Sequence, residues 1–71
     1  MTANRKIVVP FKVKVIMKND TTKIESVTDT LANVQEVYDA KLNEEIANYE
    51  VYASIRGSYQ LIHEGVEEYN M

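Results

Sequence analysis

The sequence predicts an α+β fold of order ββαββ, a four-stranded antiparallel sheet with one helix packed on one face. Three observations carry this. Residues 7 to 17 alternate without an error, Ile7, Val9, Phe11, Val13, Val15 and Met17 against Lys6, Val8, Pro10, Lys12, Lys14, Ile16 and Lys18. Successive strand side chains point to opposite faces, so this is a strand with an apolar inner face and a largely basic outer one. Between residues 29 and 48, apolar residues recur at spacings of three and four, the period of a half-buried helix. From Tyr49 onward the period returns to two, interrupted at Gly57-Ser58.

The first strand is expected to turn at Asn19-Asp20, residue types that tolerate positive φ. A two-residue loop there pairs Met17 with Thr22, Val15 with Ile24 and Val13 with Ser26 on the inner face, and sets Lys14 opposite Glu25 on the outer one. The helix is expected from Asp29 to Asn48, capped by Thr28 or Asp29, with Leu31, Val34, Val37, Tyr38, Leu42 and Ile46 as its buried stripe. Asn33, Glu36, Asp39, Asn43, Glu44 and Ala47 fall toward solvent. No glycine or proline marks the helix end, so a separate last turn at Asn43 and a left-handed cap at Asn48 are both open.

In the second hairpin Tyr49, Val51, Ala53 and Ile55 alternate with Glu50, Tyr52, Ser54 and Arg56, and Tyr59, Leu61 and His63 with Gln60, Ile62 and Glu64. A two-residue Gly57-Ser58 loop would pair Ile55 with Gln60 and Val51 with Glu64, mixing apolar with polar. A three-residue Arg56-Gly57-Ser58 loop pairs Ile55 with Tyr59, Ala53 with Leu61 and Val51 with His63, and is favoured because a one-residue slip turns a strand's apolar set outward. The expected core is Phe11, Val13, Val15, Leu31, Val34, Tyr38, Leu42, Val51, Ile55 and Leu61. Residues 1 to 71 read as a single small domain with loose termini at 1–5 and 66–71.

Composition narrows the chemistry. The 71 residues contain no cysteine, one histidine and two glycines. Thiolate metal sites, disulfides and cysteine nucleophiles are therefore excluded, and the usual zinc ligand sets cannot be assembled within one chain. Glycine-rich phosphate cradles need more glycines than Gly57 and Gly65 provide. His63 lacks a serine on a sharp elbow to serve, since Ser54 and Ser58 fall in a strand and a turn. A sheet with one helix offers little cleft for paired carboxylates. A non-enzyme is expected, without cofactor or metal. No signal-peptide pattern and no run of about 20 apolar residues occurs, so a soluble, cytoplasmic protein without membrane contact is expected.

Charge is uneven: residues 1–35 carry net +3 and residues 36–71 net −6. The open sheet face is expected to present Lys12, Lys14, Ile16, Lys18, Tyr52, Arg56 and Ile62, tyrosine and arginine among apolar residues being the composition of interface hot spots. Lys12, Lys14, Ile16, Tyr52, Arg56 and Ile62 are thus the candidate partner-binding residues, for a foreign protein or for a homodimer, with edge-strand pairing across a two-fold axis as one way to form it. Glu36, Asp39, Glu44 and Glu45, with Glu67 and Glu68, form a candidate acidic surface that can imitate a nucleic-acid backbone. Nucleic-acid binding through Lys12, Lys14, Lys18, Arg56 and Tyr52 is the alternative, weakened by a pI of about 5.0 and by a single candidate aromatic.

In size, acidity and hairpin-helix-strand order the chain resembles small phage-encoded proteins that shut down host enzymes, among them a podovirus inhibitor of bacterial RNA polymerase and several anti-CRISPR proteins. The resemblance implies an inhibitor or adaptor that acts on a host protein or nucleoprotein complex by contact. It assigns no residue a role.

Overall fold

The computed structural model describes residues 8–42 and 44–66. Strands β1 (Val9–Met17), β2 (Thr22–Asp29), β3 (Ile46–Ile55) and β4 (Ser58–Val66) form one antiparallel sheet in the order β2-β1-β3-β4, and helix α1 (Leu31–Lys41) lies between β2 and β3 in the chain. The ββαββ expectation therefore holds. Because β2 and β3 are both antiparallel to β1, they run parallel to each other, and their connection must cross over β1. The helix makes that crossing on the inner face. Among the described residues no helix is long and apolar enough to cross a membrane.

The alternation in β1 becomes burial as expected. Phe11, Val13 and Val15 are buried with Val34 and Tyr38 of α1 and with Ile46, Tyr49 and Val51 of β3, while Val9, Met17, Val27, Leu31, Leu42 and Ala53 pack around that cluster. Ile7, the first inward position predicted, lies outside the described residues, as do Asn43, Glu67 and Glu68.

The first hairpin departs from its expected register by one residue. Met17 N–H donates to the Thr21 carbonyl (2.8 Å) and Asp20 N–H to the Met17 carbonyl (2.9 Å), so the loop is Lys18-Asn19-Asp20, with Asp20 left-handed at φ 71°. A type I turn followed by one left-handed residue is the usual three-residue hairpin loop. With it, Val13 faces Glu25, Lys14 faces Ile24 and Val15 faces Lys23. The predicted pairs Met17–Thr22, Val15–Ile24, Val13–Ser26 and Lys14–Glu25 do not form. Glu25 is carried to the inner face, where it accepts a hydrogen bond from the Tyr38 hydroxyl, and Ile24 is carried outward.

The helix is shorter than predicted at both ends. Thr30 is the N-cap, its hydroxyl accepting from Asn33 N–H at 3.1 Å, while Asp29 Oδ1 accepts from Thr30 N–H at 2.7 Å and from the Asn33 amide at 2.9 Å. These two side chains satisfy orphan donors of the first turn from outside the helix. The C-terminus falls at Lys41, because Leu42 turns extended at ψ 141° and Glu44 and Glu45 fold back onto the Lys41 carbonyl. Ile46 and Asn48 then belong to β3, so Asn48 is no cap. Val37, expected in the buried stripe, is exposed.

In the second hairpin neither expected loop occurs. Arg56 (φ 55°) and Gly57 (φ 86°) make a two-residue turn with both positions left-handed, as a type I′ turn requires. Ile55 pairs with Ser58, Ala53 with Gln60 and Tyr52 with Leu61, then a bulge on β4 near Ile62 restores the expected Val51–His63 pair. Near the turn this reverses the expected faces, so Tyr59 and Leu61 point outward and stay exposed, and Ile55 at the strand end is exposed too. Val66, expected at the start of a loose terminus, is instead the last residue of β4 and pairs with Asn48.

Candidate binding face

Strand register converts into rows across the open face. One row runs Ser26, Lys12, Tyr52, Leu61; the next runs Ile24, Lys14, Glu50, Glu64; a third runs Thr22, Ile16, Asn48, Val66. Side chains in a row stand about 5 Å apart, close enough to touch their neighbours. Lys12, Lys14, Ile24, Tyr52 and Tyr59 line a shallow groove of about 260 Å³ that crosses the sheet diagonally from β2 to β4. Its apolar ends are open to solvent, with Ile24 at 66% and Tyr59 at 48% exposure.

Two contacts order the groove. Lys12 Nζ lies 5.4 Å from the centre of the Tyr59 ring, within reach of a cation–π attraction. The Tyr52 hydroxyl donates to Glu50 Oε1 at 2.6 Å, on the same face one pleat away. That bond, desolvation and the nearby charges of Glu50 and Glu64 all hold the Tyr52 proton more tightly than in a free phenol. Lys12 and Lys14 are matched on this face by Glu50 and Glu64, so its charges are mixed rather than basic.

Of the predicted partner-binding residues, the groove joins Lys12, Lys14 and Tyr52. Ile16 is half-buried one row away, and Ile62 sits at the β4 bulge beside Leu61. Arg56 is in the β3–β4 turn, at the opposite end of the sheet from Lys18 in the β1–β2 turn, because β1 and β3 are antiparallel. The predicted basic set is therefore not contiguous. Ile24 and Tyr59, which complete the groove, fall on the other face in the expected registers. Only the two loop lengths hide them: each depends on a non-glycine residue, Asp20 or Arg56, adopting positive φ.

The inner face holds a second polar arrangement. Tyr49 is fully buried; its hydroxyl donates to Asp39 Oδ1 (2.6 Å) and lies 3.1 Å from His63 Nε2, so its oxygen accepts from a protonated Nε2. The lone histidine thus ties β4 to β3 and, through Asp39, to α1. Burial first, and the carboxylate partner second, push Tyr49 and Tyr38 well above the ordinary phenol pKa. Of the candidate acidic surface, Glu36, Asp39, Glu44 and Glu45 are all exposed, but Asp39 serves this bond and is no purely solvated position. Among the described residues no buried side-chain donor or acceptor lacks a partner. Comparison with protein-family models, with curated proteins and with solved structures found no match.

Proposed function

We propose that this chain is a non-enzymatic protein-binding module, an inhibitor or adaptor, that works through the open face of its sheet in the cytoplasm. One observation carries the proposal: exposed Ile24, Tyr59 and Leu61 share with Tyr52 a face whose two lysines are offset by two glutamates. Tyrosine in an apolar setting is what protein interfaces select, and the paired charges beside it leave the face without strong net charge. The absence of cysteine fits a reducing compartment.

The second reading, single-stranded nucleic acid, gains from Tyr59 as a further aromatic beside Lys12. It loses on electrostatics, since Glu50 and Glu64 cancel the lysines where a phosphate chain would run. Two measurements separate the readings. Single-stranded RNA and DNA should bind no tighter than about 10 μM at physiological salt, below the range of specific recognition. Tyr52→Ala should impair capture of a protein partner more than Lys12→Ala, because truncating an aromatic at the centre of an interface removes more apolar contact than shortening a lysine. Sub-micromolar nucleic-acid binding abolished by Lys12→Ala with Lys14→Ala would replace the protein reading by the nucleic-acid one.

A further inference from the structure

We infer that the occupant of the open face is a second copy of this chain, stacked face to face about a two-fold axis that runs along the strands between β1 and β3. The inference rests on the protein-binding reading and adds the partner. Its starting point is the separation of charge by strand: the open face has Lys12 and Lys14 on β1, Glu50 on β3 and Glu64 on β4. A two-fold axis parallel to the strands lays β1 of each copy over β3 of the other and keeps every residue in its row. Lys14 of one copy then meets Glu50 of the second, and Lys12 meets the second copy's Tyr52 ring.

The same operation lays β4 over β2, which sets the second copy's Leu61 over Ser26 and its Glu64 over Ile24, one strand from Lys14. A second carboxylate of one copy is thereby brought toward the lysines of the other. A two-fold axis across the strands would lay β1 over itself and set the lysines of one copy against those of the other, a like-charge arrangement that costs affinity. Charge pattern thus selects one of the two in-plane axes. The selected axis gives aligned sheets, the common way for two sheets to pack.

Size is compatible. Four strands about 4.8 Å apart and about nine residues long present roughly 550 Å² of plane, so two faces meet near the lower bound of about 1,200 Å² for stable association. The sheet edges are less suited. The β4 bulge bends that edge, and β2 places Lys23 and Glu25 on its inner side, both devices that discourage edge pairing.

The test is sedimentation equilibrium on the full chain and on two single variants, Lys14→Glu and Glu50→Lys, with circular dichroism melts to confirm that each folds. Each variant gives its open face two like charges where the native chain has a pair, so each should dimerise roughly 100-fold more weakly than the native chain. An equimolar mixture should form a heterodimer with near-native affinity. In it the carboxylate introduced at position 14 of one variant meets the ammonium introduced at position 50 of the other, while the unchanged Glu50 of the first meets the unchanged Lys14 of the second. The pair within each chain stays broken in the mixture, so recovery reports the contact between copies alone. A native chain that stays at 8.2 kDa above about 100 μM, far weaker than stable interfaces of this size, would overturn the inference, as would variants that dimerise normally or a mixture that stays monomeric. A monomer that still captures a foreign protein through Tyr52 would overturn the self-association and leave the protein-binding reading standing. Should an unfolded variant result, Lys14→Gln and Glu50→Gln replace the pair: each should weaken dimerisation, and equal affinity to the native chain would count against the stacked geometry.

Discussion

Tyr49 lies directly opposite Gly65 in the β3–β4 pair, and its ring covers the glycine so closely that a Cβ built at 65 would come within 2.8 Å of Tyr49 Cζ and nearer still to Cε1. The glycine is there for room, not for an unusual backbone angle. Tyr49 is fully buried against Tyr38, with ring centres 5.4 Å apart, and its hydroxyl is held by Asp39 and His63. It has nowhere to retreat.

Gly65→Ala should therefore destabilise the domain by about 1–3 kcal/mol, the usual cost of overpacking. In a Tyr49→Leu background the same change should cost distinctly less, because the two residues share one space. Urea denaturation of the four chains of this cycle measures the coupling. Equal costs in both backgrounds would show that the ring does not occupy the space over residue 65.

Alkaline pH should unfold the protein through its tyrosines. Tyr38 and Tyr49 hold their protons more tightly folded than unfolded, so the native state retains protons that the unfolded state has released. Stability is then complete below pH of about 10, the unfolded phenol value, and falls as pH rises above it. Spectrophotometric titration should show these two tyrosines ionising together with loss of circular dichroism. Replacing both buried tyrosines by phenylalanine should remove that part of the alkaline transition.

Core and open face should separate by stability. Phe11→Ala is expected to cost about 3–5 kcal/mol, a large share of what so small a domain possesses. Leu61→Ala, at a position 48% exposed, should change the stability of the monomer by no more than about 0.5 kcal/mol. Thermal melts at low protein concentration compare them. A large loss for Leu61→Ala would mean that β4 places this residue inward after all.

The Arg56-Gly57 turn carries a removable cost. Arg56 adopts φ 55°, which asparagine tolerates better than arginine. Arg56→Asn should stabilise the domain by about 0.5–1 kcal/mol, as compatible turn substitutions commonly do. Because Arg56 stands in the turn and not in the groove, the same variant should leave association unchanged in sedimentation. Loss of association would return Arg56 to the binding residues.

What the sequence determines by itself is the element order and the inward side of β1. Phe11, Val13 and Val15 can be buried together only as alternate residues of a strand, and Val34 and Tyr38 are one helical turn apart on the face that covers them. Element ends are harder to see. Nothing between Lys41 and Tyr49 stops a helix, and Ile46, apolar and four residues from Leu42, fits a helical stripe as well as the strand it joins.

The binding face is only half legible, and the reason is local. Lys12, Lys14 and Tyr52 follow from alternation, whereas Ile24 and Tyr59 depend on register, and register is decided by positive φ at Asp20 and Arg56 and by the bulge on β4. Asn19-Asp20 and Arg56-Gly57-Ser58 each suit more than one turn, at energies that differ by little. A shift of one residue moves every side chain of a strand to the other face. For β2, packing of the sheet against α1, where Glu25 meets Tyr38, favours one register enough to select it.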